Sequence, residues 1–178
     1  MMSDRHFQGN GIRLRAPEPE DLEVMFRFEY ATDVWEMSNT TGPYSRFQLK
    51  QYIEQTQNDL FADRQLRLMI ENGNRQVVGI VDLCSFDPLH NRAEVGIMVD
   101  KSCRRRGIGR NALALLEEHC FRYLGIHQLF AYIAVENLPS RRLFAACGYK
   151  ESAVLKEWAH TFGGGYTDVL VVQKLNLS

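Results

Sequence analysis

The sequence predicts an α/β protein in which a mixed sheet is covered by helices, and three observations predict it. Alternating apolar runs stand before and after segments of helical periodicity, and hairpin signals lie towards both ends. The chain has 178 residues, 45% of them hydrophobic and 24% charged, which suits one ordinary core, so a single domain over residues 1–178 is expected.

Ile12 and Leu14 alternate with Arg13 and Arg15 as a first strand, which Pro17 and Pro19 stop. From about Asp21 a helix follows, with Leu22, Met25, Phe26 and Glu29 at helical spacing. Thr32 to Tyr44 shows no period and reads as a loop with one helical turn at most. Ser45 with Gln48 three positions on forms a capping box, and Leu49, Tyr52, Ile53, Thr56 and Leu60 share a face, which predicts a helix to about Phe61. Leu66, Leu68 and Ile70 alternate with Arg67, Met69 and Glu71. Asn72-Gly73 then offers a pair that tolerates positive φ, and Val77 to Phe86 completes a hairpin. Ala93 to Val99 is a further strand. After Gly107 a helix carries Ile108, Ala112, Leu115, Leu116, His119 and Tyr123 on one face until Gly125, where glycine ends it. A strand (128–135), a short helix (139–147) stopped by Gly148, and two strands (149–158 and 166–174) joined at the Gly163-Gly164-Gly165 tip complete the chain.

The 21 basic and 22 acidic side chains leave a formal charge of −1. No global field is available to hold a nucleic acid or an anionic membrane, so neither is expected as a partner, and phosphate recognition has to be local. Cys84, Cys103, Cys120 and Cys147 form no C-x-x-C pair and find no H-x-x-x-H partner. That argues against a zinc site, or any metal, and for four reduced thiols in a cytoplasmic protein. The start of the chain is polar with no apolar leader core, and no 18-residue apolar run occurs.

The stretch that carries chemistry runs from Val95 to Arg110, where a strand ends, a basic loop with two glycines follows and a helix begins. The first-turn amides of a helix have no intrahelical partner and can face an anion, which the positive end of the dipole also favours. Gly107 and Gly109 remove Cβ atoms that would keep a diphosphate away, and Arg104, Arg105, Arg106 and Arg110 supply charge. This is a pyrophosphate cradle. Arg110-Asn111 stands where a Walker loop needs its lysine and Ser/Thr, and Ala112 stands where a dinucleotide fingerprint needs its third glycine, so both of those readings fail.

Arg104-Arg105-Arg106-Gly107-Ile108-Gly109 resembles the Q/R-x-x-G-x-G/A signature of the GNAT N-acetyltransferase superfamily. The likeness continues through Asn137-Leu138-Pro139-Ser140 to Gly148-Tyr149, similar to the family's N-x-x-S and G-F/Y segment. It reaches Gly165-Tyr166-Thr167-Asp168, similar to the last hairpin of the subgroup with spermidine/spermine and ribosomal-protein N-terminal acetyltransferases. Ile12-Arg13-Leu14-Arg15 with Glu20-Asp21-Leu22 fits the same subgroup, so the resemblance covers nearly the whole chain. It implies the GNAT fold, an α/β arrangement with a mixed, mostly antiparallel central sheet of about six to seven strands flanked by helices.

The resemblance also implies acetyl-CoA as cosubstrate. The main chain of Ile97, Met98 and Val99 would pair with its pantetheine arm as an added strand does. The amides from Arg105 through Arg106, Gly107, Ile108 and Gly109 to Arg110 would hold the pyrophosphate, with Arg104 at the motif's first position. Asn137 and Ser140 would bond the pantetheine, the plainer alternative being a helix N-cap and an exposed first-turn serine.

Acetylating an amine requires an unprotonated nitrogen, and an alkyl ammonium has a pKa of about 10.4, so a proton must be removed. Glu94, in a His90-Asn91-Arg92-Ala93-Glu94 run that resembles the H-x-R-A-E of spermidine acetyltransferases, is the candidate base; the alternative is a cross-strand partner for an arginine. The family's usual acid, a tyrosine four residues before the glycine, is here Phe144, which leaves water or Ser140 to protonate the thiolate. Cys147 and Cys103 read as a buried small hydrophobe and a loop thiol, so direct transfer in a ternary complex is expected. Glu29, Asp33 and Glu36 around Trp35, with Glu94, would make an acidic aromatic pocket for a polyamine, flanked by His160 and Tyr166.

The leading reading is thus an amine N-acetyltransferase with a spermidine-like acceptor. Alternatives are acetylation of protein N-termini, a catalytically quiet CoA-binding module, and nucleic-acid binding through the arginines, which the neutral charge disfavours. Edge strands at both hairpin ends predict pairing of subunits.

Overall fold

The computed structural model describes residues 7–30, 42, 44–161 and 163–177. Ile12–Arg15 (β2) forms where sequence periodicity places it, and a two-residue strand, Gln8–Gly9 (β1), folds back on it, pairing Gln8 with Arg13. Leu66–Asn72 (β3), Val77–Asp87 (β4), Arg92–Val99 (β5), Gln128–Ala134 (β6), Lys150–His160 (β7) and Tyr166–Leu175 (β8) complete an eight-stranded sheet of order β1-β2-β3-β4-β5-β6-β8-β7. Every neighbouring pair is antiparallel except β5 and β6. β1 is the strand that the sequence pattern missed, because two residues hold no alternation.

The helices are Leu22–Glu29 (α1), Arg46–Gln55 (α2), Leu60–Asp63 (α3), Ile108–Glu118 (α4) and Leu138–Ala146 (α5). Ser45 caps α2 as its sequence predicts, with Gln48 completing the box. The expected continuation to Phe61 does not occur. Thr56 turns extended, its hydroxyl accepts from Asn58 N, and Asn58 takes a left-handed φ of 50°. Asp59 then caps a separate turn by accepting from the amides of Phe61 and Ala62. Short polar side chains that compete for backbone amides have broken one helix into two. The β3–β4 turn differs likewise. Arg75, with φ 60°, takes the left-handed conformation expected at Asn72-Gly73, while the Asn72 side-chain oxygen Oδ1 accepts from the amides of Asn74 and Gln76. Gly125 does end the long helix in the left-handed region (φ 64°), after a π-helical turn at His119–Tyr123.

The sheet has two unlike faces. On one, α4 packs Ala112, Leu113 and Leu116 against Val81, Val95 and Leu129, all almost inaccessible. On the other, α1 and α2 cover only part of the sheet through Met25, Phe28, Leu49, Met69 and Ile80, with Met98 against them. Period-two alternation fixes which side chains face which way. Ala93, Val95, Leu129, Ala131 and Ile133 point to the α4 core, so Glu94, Gly96, Phe130 and Tyr132 lie on the partly uncovered face. Arg15 anchors the entry to α1: its guanidinium bonds Asp21 at 2.6 and 2.9 Å and Glu71 at 2.6 Å. Among the described residues no helix is long and apolar enough to cross a membrane.

Candidate active site

The one parallel pairing of the sheet is short. β5 meets β6 only from Arg92↔Gln128 to Glu94↔Phe130, whereas β5 keeps pairing with β4 as far as Val99, and β6 with β8 as far as Ala134. Beyond Glu94 the two strands therefore diverge, and the edge of β5 from Val95 to Val99 faces an opening. Ile97 and Val99 pack their side chains on the core, so in the opening they present main chain. Backbone donors and acceptors along such an edge accept an extended chain as a further strand would. Both α4 and α5 begin where these parallel strands end, at the carboxyl end of the sheet where open α/β sheets collect ligands.

The loop into α4 is built by its own polar atoms. Asp100 accepts from the amide and hydroxyl of Ser102 at 2.9 and 2.7 Å, and Arg104 Nε donates to the carbonyl of Val99 at 2.9 Å. Arg104 thus ties the loop back to β5, while Arg105, Arg106 and Arg110 are exposed. Gly107 is the N-cap with φ 77°, offers no side chain to the turn, and accepts from Asn111 N at 3.0 Å. The amides of Ile108, Gly109 and Arg110 are left facing outward as an anion site. The two glycines of the motif differ in purpose. A Cβ at Gly107 would meet nothing within 4 Å, so its constraint is the left-handed backbone; a Cβ at Gly109 would sit 3.1 Å from Leu143 Cδ2, so that glycine lets α5 approach α4 rather than admitting a diphosphate.

Asn137 takes the N-cap alternative: its side-chain oxygen accepts from Ser140 N at 3.2 Å. Ser140 is half-buried on the first turn of α5, on a different element from Glu94. Phe144 is 3% exposed, edge-on to the Tyr149 ring at 4.9 Å, a core contact with no proton to give. Gly148 (φ 88°) is a helix stop, donating to Ala145 O.

On the partly uncovered face, Glu94 is half-buried and accepts from Ser85 Oγ at 3.1 Å. No arginine stands directly opposite Glu94: its strand partners are Cys84 on β4 and Phe130 on β6, and Arg92, on its own strand, turns to Asp87 at 3.3 Å. Two residues that the sequence motifs did not flag stand beside Glu94. Asp82 pairs with Gly96 across β4 and β5, and Arg67 on β3 clamps both Asp82 oxygens at 2.9 and 2.8 Å while reaching Glu29 at 3.5 Å. A signal did exist: each is a charge set between two apolar residues inside a strand, between Leu66 and Leu68 and between Val81 and Leu83. Burial alone would discharge Arg67, but the facing Asp82 carboxylate outweighs it and the guanidinium is held above its ordinary value. Arg67 thus links Glu29 and Asp82, and Glu94 stands on the neighbouring strand, bonded to Ser85. Cys84, directly opposite Glu94, has its thiol pushed up to about 12 by burial and then by Glu94 and Asp82. Burial also raises the Cys147 thiol, so neither is a ready nucleophile. Of the expected acceptor residues, Glu29 joins this cluster through Arg67; Asp33, Trp35 and Glu36 lie outside the described residues. His160 and Tyr166 stack edge-on at 5.5 Å on the last hairpin.

Residues 12–150 match the Acetyltransferase (GNAT) domain family. The spermidine N(1)-acetyltransferase of Vibrio cholerae serotype O1 is 27% identical over 160 residues, 89% of each chain. The crystal structure of the Vibrio cholerae spermidine N-acetyltransferase with CoA and spermine superposes with a TM-score of 0.81 at 23% identity, over 94% of this chain and 97% of that one. The ribosomal-protein-S5-alanine acetyltransferase of Vibrio fischeri superposes at 0.83 and 17% identity, over 97% of both. With the strand opening, the uncapped helix start and these matches together, the chain belongs to the GNAT family as an acetyl-CoA-dependent N-acetyltransferase.

Proposed function

We propose that the chain acetylates a primary amine of a polyamine such as spermidine, taking the acetyl group directly from acetyl-CoA in a ternary complex. The observation that carries the reading is the face beside the β5 edge, where among the described residues Arg67 holds Asp82 and Glu29 and a third carboxylate, Glu94, stands on the neighbouring strand. A net negative surface one strand from the opening favours a multiply charged ammonium over a neutral or anionic acceptor. The similarity to a spermidine N(1)-acetyltransferase supports the same class.

In this reading the β5 main chain from Ile97 to Val99 pairs with the pantetheine arm. The amides from Arg105 to Arg110 hold the pyrophosphate, with the exposed guanidiniums around it. Glu94 takes a proton from the ammonium, directly or through one water, while Asp82 and Glu29 hold the remaining positive charge of the acceptor. With the Cys84 and Cys147 thiols raised, no acyl-enzyme is formed.

Thiol release from acetyl-CoA, measured with polyamines, aminoglycosides and short peptides, tests this. Spermidine is expected to give the highest kcat/KM. Turnover confined to peptides would move the acceptor to protein N-termini, and CoA binding without turnover on any amine would leave a quiet binding module.

A further inference from the structure

Acetyl transfer expels a thiolate that needs a proton, and Phe144 leaves that donor to be found elsewhere. We infer that Tyr132 of β6 is the acid that protonates the departing sulfur, standing across the strand opening from Gly96, two residues beyond Glu94. The inference rests on the reading that the amine arrives on the Glu94 face.

The pairing of β5 with β6 ends at Glu94↔Phe130, and Tyr132 is the next residue of β6 on the same face. It therefore stands on the rim where the strands have parted. Its ring is 46% exposed and lies edge-on to Phe130, centroids 5.6 Å apart and planes at 81°, so the phenol is held on the uncovered face. Across the opening the matching position of β5 is Gly96, where among the described residues an added Cβ would meet Asp82 Cβ, at 3.8 Å. No side chain at position 96 occupies the space between Tyr132 and β5.

The other candidate donors are placed worse. The Tyr149 ring is buried at 3% exposure against Phe144, on the α4 side of the sheet. Ser140 sits on the first turn of α5, beyond the end of β6. Cys84 faces Glu94 from β4, the strand on the far side of β5 from the opening. Among the described residues the Tyr132 hydroxyl makes no hydrogen bond that a ligand would have to break.

The step balances without a further reactant. The amine lone pair forms the C–N bond to the acetyl carbon, and the C–S bond breaks with its electron pair going to sulfur. Sulfur takes the phenolic proton of Tyr132 as that charge develops. The ammonium first gives one proton to Glu94, which passes it to solvent; the second proton, lost as the amide forms, then goes to Glu94, and solvent returns a proton to the Tyr132 oxygen as Glu94 releases its own. Nothing is oxidised or reduced.

The test is Tyr132→Phe in the full chain, assayed with acetyl-CoA and spermidine, or with the amine of the panel that the wild type turns over fastest. Removing one general acid is expected to lower kcat roughly 10- to 100-fold. The Kd for CoA by calorimetry is expected to stay the same, and Tyr132→His, which keeps a donor, is expected to recover part of the rate. Wild-type kcat in Tyr132→Phe overturns the inference. So does a rise in KM for the amine with kcat unchanged, which would make the phenol a binding group only. Failure of the polyamine reading shows in the wild type's choice of amine, whereas failure of this inference shows only in the variants.

Discussion

The two sides of the strand opening recognise ligands by different means. On the cofactor side, β5 and the start of α4 offer main-chain atoms, and the side chains there either point into the core, as Ile97 and Val99 do, or extend into solvent, as Arg105, Arg106 and Arg110 do. On the proposed acceptor side stand the side chains of Arg67, Asp82, Glu94 and Glu29, contributed by β3, β4, β5 and α1; Arg67 locks Asp82 and Glu29, while Glu94 bonds Ser85. A backbone site tolerates almost any sequence that keeps the strand, the loop and one left-handed glycine. A side-chain site changes its ligand with a single substitution, which is why the first can be shared across a family and the second can differ between its members.

The comparison predicts where substitutions act, and Gly107→Glu should act most strongly. It forces φ 77° on a residue with a Cβ and puts a carboxylate at an anion site, so acetyl-CoA affinity by calorimetry should fall at least about 100-fold, with thermal stability reduced far less. An undiminished affinity would remove the backbone site from the account. Glu94→Gln should lower kcat by about 10²–10³-fold with acetyl-CoA binding nearly unchanged, because a proton acceptor on the other side of the opening is lost. Equal losses in kcat and in cofactor affinity would mean that the two sides are not separable.

Asp82→Asn should raise KM for spermidine roughly tenfold, about 1.4 kcal/mol, with kcat changed little, since it takes one negative charge from the acceptor face. A larger effect on acetyl-CoA than on spermidine would contradict the assignment of that face. The smallest effect belongs to neither side. Glu117, under α4, bonds Lys174 Nζ at 2.6 Å, yet burial raises its carboxyl above the ordinary 4.5 more than Lys174 lowers it. The folded state therefore binds this proton more tightly than the unfolded chain. That contribution is complete below about pH 4.5 and is lost as pH rises through the folded-state value. In Glu117→Gln the melting temperature should vary less with pH above 4.5, while the kinetic constants stay as in the wild type.

How much of this was legible in the sequence follows the same division. The strand, basic loop and helix of residues 95–110 are contiguous, so local periodicity, the glycine pair and the arginine run place the cofactor cradle without a fold. The capping box at Ser45, the glycine stops at 125 and 148 and the glycine tip at 163–165 were equally local, and each is found where the pattern put it, although α2 ends at Gln55 because Asn58 and Asp59 claim backbone amides first. Asn137 was recognised as a motif residue, yet its side-chain oxygen is occupied in capping α5. The role of Gly109 could not be read from its motif, since the atom it makes room for belongs to Leu143, 34 positions away.

By itself the sequence determined the α/β class, the near-zero net charge and the strand, basic loop and glycine-led helix start of residues 95–110, because each depends on neighbours within a few turns of chain or on composition alone. Only the tertiary structure decided that β5 and β6 part after three pairs, that Arg67 binds Asp82 and Glu29 beside Glu94, and that Phe144 is core while Tyr132 stands at the rim. Strand register brings together residues that sequence separates by tens of positions, and a one-residue slip would exchange the two faces of the sheet, so that constellation exists only once the sheet has formed.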